Sequence, residues 1–207
     1  MSDKREELRI AELDLMRQQE RVAELRRSVP VEPVEDYVFT DESGDVPLSS
    51  LFSAPGRSLI LYHYMFGKAQ TSPCPMCTMW IDGYNGIAHH VRERADFAVV
   101  AAAPIEDIRK VAKERGWDNI RLLSAGDSSF KRDFGSELEN GEQIEHISVF
   151  RKHLDGSLTH FYTKGAEMAP DQRERGIDLL SPVWNLFDLT PEGRGDWYPS
   201  FDYERGV

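Results

Sequence analysis

Two apolar runs set the frame of this chain: "LILYHYMF" over residues 59–66 and "FAVVAAA" over residues 97–103. Neither alternates with polar residues, so each reads as a strand covered on both faces. Between them, Pro75 to about Arg94 reads as a helix opened by proline and bent at Gly83 and Gly86. "PIEDIRKVAKERG" is a second helix, opened by Pro104 and closed by Gly116, with Ile105, Ile108, Val111 and Ala112 along one face. "IRLL", 120–123, is a short strand, followed by a helical turn around Ser129 to Phe134. "ISVFRKHLDGSLTHFYT" reads as a hairpin turning at Asp155-Gly156, and a further helix is expected from about Pro170 to Leu180. Upstream, Gly44 in "DYVFTDESGDVPLSSLF" marks a turn between two short extended pieces. This order predicts an α/β fold, a mixed central sheet flanked by helices.

The ends differ from the body. Residues 1–30 form an amphipathic helical extension in which Leu8, Leu15, Val22 and Val29 recur every seven residues, with Ala11, Gln18 and Leu25 three behind them. Such a stripe suits either a coiled-coil arm, giving a homodimer, or a helix packed on its own domain or a twin subunit. Pro30 and Pro33 end it, residues 31–190 form the main domain, and residues 191–207 form a tail whose Trp197, Tyr198, Phe201 and Tyr203 are expected to lie against the body. Hydrophobic residues are 40% of the chain, enough for a real core. The formal charge of -11 argues against nucleic acid and anionic membranes as partners. No apolar run is long enough to span a bilayer, and "MSDKREELRIAEL" lacks the apolar centre of a secretory signal, so a cytoplasmic location is expected.

Both cysteines fall in "TSPCPMCTMW", at positions 74 and 77. A disulfide closing so short a loop would remove little entropy from the unfolded chain, so a structural crosslink is a poor explanation. A metal site needs two more ligands. His89 and His90 are adjacent and cannot both turn inward; a site completed by His63 stays possible in space, but no metal and no cofactor are expected. A redox pair fits better. Cys74 falls between the carboxyl end of a buried strand and the start of the next helix, where open α/β sheets place their ligands. There the helix N–H groups favour the thiolate, making Cys74 the nucleophile and Cys77, one turn inside, the resolving thiol. His63, on the strand that approaches the thiols, is a candidate proton relay, with a hydrogen-bonded core histidine as the alternative. Trp80 could wall the pair. Thr71 stands three residues before Cys74, as in the peroxiredoxin pattern of proline, three residues, threonine, two residues, cysteine, although Gly67 occupies the proline position.

Taken together, "LILYHYMFG", "CPMCTMWIDGYNG", "ISVFRKHLDGSLTHFYT" and "RGIDLLSPVWNLFDLTPEGR" resemble a bacterial thioredoxin-like family labelled as a domain of unknown function. Its members carry a YHxMFG strand, a CPxC-x-x-W-x-D-G segment and an ending close to LDLTPxGR. The likeness spans roughly residues 5 to 195 and implies a thioredoxin-like fold for the main domain. Tyr62, His63, Met65, Phe66, Cys74, Pro75, Cys77, Trp80, Asp82 and Gly83 occupy the signature positions. Thioredoxins usually place a cis-proline before the strand facing the cysteines. Here the matching stretch is Glu145-His146-Ile147-Ser148, with no proline, and His146 is the candidate to project towards the thiols, with an ordinary strand-edge histidine as the alternative.

The expected activity is thiol–disulfide exchange, with Cys74 attacking, Cys77 displacing the product, and Trp80, Thr71 and His146 around the substrate. The partners would be a disulfide-containing substrate and a thiol reductant. A peroxiredoxin-like thiol peroxidase and a non-catalytic binding or scaffold protein of the same fold are the alternatives.

Overall fold

At the middle of the sheet, β4 (Ser58–His63) and β5 (Ala95–Ala101) run side by side and parallel. These are the two apolar runs, and the computed structural model, which describes residues 3–165 and 180–203, builds outward from them. The other strands are β1 (Glu32–Pro33), β2 (Val38–Asp41), β3 (Gly44–Pro47), β6 (Arg121–Ser124), β7 (His146–Lys152) and β8 (Leu158–Gly165). Their order is β1-β8-β7-β4-β5-β6-β2-β3. Only the β4–β5 and β5–β6 pairs are parallel, so the sheet is mixed, as expected. Each parallel pair needs a crossover, and helices α2 (Pro75–Val91) and α3 (Ile105–Arg115) supply them. Among the described residues the other α-helices are α1 (Lys4–Ser28), α4 (Phe130–Asp133) and α5 (Val183–Phe187).

Both central strands stop short of their apolar runs, for a reason visible in the backbone. After His63 the chain bends: Phe66 N–H donates to the Tyr64 carbonyl, while the Phe66 carbonyl collects the N–H groups of Ala102 and Ala103. The last residues of each run thus bond to each other's loop instead of extending the ladder. Helix α2 runs without a break through Gly83 and Gly86 and ends at Val91. Gly116 closes α3 in the left-handed conformation, φ 69°, which a side chain would strain. Gly156 turns the β7–β8 hairpin as expected, with φ 87°. The helix expected from about Pro170 to Leu180 lies outside the described residues, apart from Leu180 itself.

Alternation along β4 and β5 sorts the core into two layers. Tyr62, Tyr64, Val99 and Ala101 face α2 and α3, where they meet Cys77, Trp80, Ile81, Ile108 and Ala112. Leu59, Leu61, Ala98 and Val100 face the other way, onto Phe39, Leu123, Phe130 and Phe150. Asp82 ties the first layer together: it accepts from Trp117 Nε1 at 2.8 Å and pairs with Arg115, whose Nη1 donates to the Phe201 carbonyl at 3.0 Å. In the described part of the tail, Trp197 packs on Trp184 and Phe187.

Helix α1 is different. Capped by Asp3 and ending in Arg26 and Arg27, it is well formed locally, yet none of its residues is buried. Leu8, Leu15 and Leu25 are each more than half exposed, so the helix is not packed on its own domain along its length. It touches the body near its end, where the Arg26 guanidinium lies 5.3 Å from the centre of the Tyr162 ring.

Phe130 is fully buried and meets Tyr37, Phe39, Phe134 and Phe150 as well as His63. Phe130→Ala should lower the unfolding free energy by about 3–5 kcal/mol, measured by urea denaturation. A loss well under that range would show that the second layer does not depend on this ring.

Candidate active site

The bend after β4 places the thiols. Met65, in the bend, accepts from Cys74 N–H at 3.0 Å and so fixes the residue that caps α2. Cys74 has extended backbone (φ -69°, ψ 125°) and Pro75 holds the first helical position, as expected from sequence. Below the cap, Thr78 donates to the Cys74 carbonyl from both its backbone N–H (3.0 Å) and its hydroxyl (2.9 Å), and Tyr64 Oη meets that hydroxyl at 2.6 Å. Cys74 is partly exposed and Cys77 is buried, and both are free thiols close to one another.

Their acidities move in opposite directions. The Cys77 thiol, hydrogen-bonded to the Cys74 sulfur, is the largest influence lowering Cys74 to about 6, against the opposing cost of its own burial. The Cys77 and Met76 N–H groups of the first helical turn add to the lowering without closing a capping bond, and the Glu145 charge resists it. Burial pushes Cys77 well up, and the neighbouring Cys74 adds to this. The Tyr62 hydroxyl and the Met65 N–H pull it the other way. Both shifts act in the direction of keeping a proton on the inner sulfur rather than the outer one. Beside the approach loop, a cavity of about 640 Å³ is lined by Thr71, Pro73, Val111, Arg115 and Phe201 among others. A cleft of about 760 Å³ between α3 and β6 includes neither thiol among its lining residues.

With residues 1–205, the chain matches the model of a family described as "Bacterial protein of unknown function (DUF899)". The chain belongs to that family. No curated protein matches it. Among solved structures it is similar to the peroxidoxin BcpB from Mycobacterium tuberculosis, at 21% identity and a TM-score of 0.51, over 73% of this chain and 96% of that one. It is also similar to a cysteine-to-serine mutant of PrxQ from Xylella fastidiosa, at 13% identity and a TM-score of 0.51, over 73% of this chain and 94% of that one. A peroxiredoxin-like protein from Aquifex aeolicus gives 13% identity and a TM-score of 0.50, over 72% of this chain and 85% of that one. These likenesses establish a thioredoxin-like α/β fold for this member of the family.

Two of the expected site residues, His63 and His146, stand on the opposite face from the one the sequence suggested. His63 is on the strand that approaches the thiols, but alternation turns it to the opposite face from Tyr62 and Tyr64. There its Nε2 lies 2.8 Å from Ser148 Oγ, its Nδ1 lies 2.6 Å from Ser136 Oγ, and its ring stacks on Phe130. Burial, then the Lys131 charge, push it well below the usual histidine range. It is a satisfied core histidine and does not face the sulfurs. His146 pairs directly with His63 in the β4–β7 ladder and so shares that same face; its neighbour Ile147 is the residue that packs into the Cys77 layer. Trp80 does wall Cys77, but at 5% exposure it is core and offers no surface to a substrate. Thr71 is exposed on the cavity wall.

Glu145 and Lys131 were not singled out from sequence. Glu145 precedes Ile147 by two and brings its charge to Cys74 and Tyr62. Lys131 is completely buried on α4, donating to the Tyr64 carbonyl at 3.3 Å, and burial lowers it to about 7. Among the described residues no three His, Cys, Asp or Glu side chains gather as metal ligands, and no helix is long and apolar enough to cross a membrane.

Glu145→Gln removes a negative neighbour of the Cys74 thiolate, so the midpoint of Cys74 alkylation against pH should fall below the starting value of about 6. A midpoint that stays or rises would remove Glu145 from the electrostatics of the site.

Proposed function

We propose that this protein is a thiol–disulfide oxidoreductase in which Cys74 is the nucleophile and Cys77 the resolving thiol. The observation that carries this reading is the split between the two sulfurs: a partly exposed one lowered to about 6 at the start of a helix, and a buried one raised beside it. In the forward half, the Cys74 thiolate attacks a substrate disulfide R–S–S–R, forms Cys74–S–S–R and expels RS⁻. Cys77 then attacks the Cys74 sulfur, the second RS⁻ leaves, and a thiol reductant restores the pair. A nucleophile near 6 is ionised at neutral pH, so exchange needs no separate base at Cys74.

The peroxidase reading shares the nucleophile. Cys74 would attack one peroxide oxygen and become sulfenic acid as the O–O bond breaks and the other oxygen leaves as water or an alcohol. Cys77 would condense with the sulfenic acid to give the Cys74–Cys77 disulfide and water. Thr71, three residues before Cys74, favours it, and glycine at position 67, where the peroxiredoxin pattern has proline, weighs against it. Comparing peroxide consumption with disulfide reduction, both in wild type and in Cys74→Ser, separates the two.

A thiolate stabilised in the reduced state makes a dithiol a stronger oxidant. Equilibrated in glutathione buffers, the Cys74–Cys77 couple should therefore sit above the roughly −270 mV typical of a dithiol whose nucleophile ionises near 7. Failure of the two cysteines to form a disulfide with each other would end the proposal.

A further inference from the structure

Cys77 poses a problem that its partner does not: it must become an anion while only 2% exposed. An unassisted thiolate in an apolar layer is costly, so something must donate to it. Along α2, residues 77, 80, 81 and 84 lie on the inner face, and Tyr62 packs against that face with ring centres 5.8 Å from Trp80 and 5.4 Å from Tyr84. Tyr62 is 0% exposed, and its hydroxyl oxygen finds no hydrogen-bond partner in a good geometry. A buried hydroxyl left in that condition is expensive, and of the groups whose charge acts on it Cys77, in the same buried layer, is the strongest, ahead of Tyr84 and Glu145. The Met65 N–H approaches the same sulfur.

We infer that Tyr62 is a catalytic residue, its hydroxyl donating a hydrogen bond to the Cys77 thiolate that forms as the mixed disulfide is resolved. The inference rests on the oxidoreductase reading above and assigns the step that reading leaves unsupported. In that step Cys77 loses its proton, its sulfur bonds to the Cys74 sulfur, and the Cys74–S–S–R bond breaks with its electron pair on RS⁻. The proton lost by Cys77 ends on the departing thiolate, or in solvent when that thiolate is a weak base. Tyr62 keeps its own proton throughout, since burial holds it far above its ordinary range. The other titratable groups that act on this sulfur or its partners are Cys74 at the helix start, Tyr64 on the bend after β4, Tyr84 on α2, Glu145 ahead of β7 and Lys131 from α4.

The two half-steps can be timed with a symmetric nitrobenzoate disulfide whose released thiolate absorbs visible light. The first release reports attack by Cys74 and the second reports resolution by Cys77. Tyr62→Phe should leave the first release at the wild-type rate and slow the second about tenfold, the scale of one hydrogen bond to a charged group. A second release at the wild-type rate overturns the inference while leaving the roles of the two cysteines intact. A first release that persists in Cys74→Ser, or no second release in wild type, breaks the underlying reading instead. If Tyr62→Phe does not fold, fluorotyrosine in place of Tyr62, a stronger donor of nearly the same shape, must speed the second release. An unchanged or slower rate there overturns the assignment.

Discussion

The first turn of α2 is fastened to the bend after β4 through Met65. Its carbonyl accepts from the Cys74 N–H and its own N–H approaches the Cys77 sulfur. Both thiols are thereby referred to one rigid object, the central strand. Because β4 is hydrogen-bonded to β5 on one side and β7 on the other, that object has little freedom to shift. The Tyr64–Thr78–Cys74 chain adds a second fastening from the same stretch. Everything proposed for the chemistry depends on this docking, since helix N–H groups influence a sulfur only within the first turn.

Given that docking, the asymmetry between the thiols follows from depth. Cys74 stands at the rim, where backbone donors and the Cys77 thiol outweigh its burial. Cys77 stands one turn further in, where burial dominates. Glu145 opposes the ionisation of Cys74 and moderates an otherwise stronger depression. The Cys77 thiol, aided by the N–H groups of the helix start, lowers the outer sulfur, and in the proposed mechanism the phenol of Tyr62 gives the inner one a partner when its turn comes.

Much of the fold was legible because burial on both faces, proline at a helix start and glycine at a helix end each have one physical meaning. The runs at 59–66 and 97–103, the helix from Pro104 to Gly116 and the turn at Asp155-Gly156 all register this way, and Cys74 at the head of α2 follows from Pro75. What the sequence hid was the facing of residues within a doubly buried strand. Apolar residues on both sides of β4 erase the alternation that would tell Tyr62 from His63, and a one-residue error in facing exchanges a core histidine for a site tyrosine. His146 and Ile147 were exchanged in the same way on β7. Lys131 was hidden for another reason: a lysine in a short polar turn reads as surface, and only the packing of α4 under Tyr64 buries it.

The central claim is that the outer sulfur is an anion at neutral pH and the inner one is not. Labelling the cysteines at Cβ with a heavy carbon isotope and following both chemical shifts by NMR across pH tests it directly. The account predicts that Cys74 titrates at about 6 while Cys77 stays protonated beyond the free-thiol value of roughly 8.5. A Cys74 that titrates at or above that free value, or two sulfurs that titrate together, would contradict it.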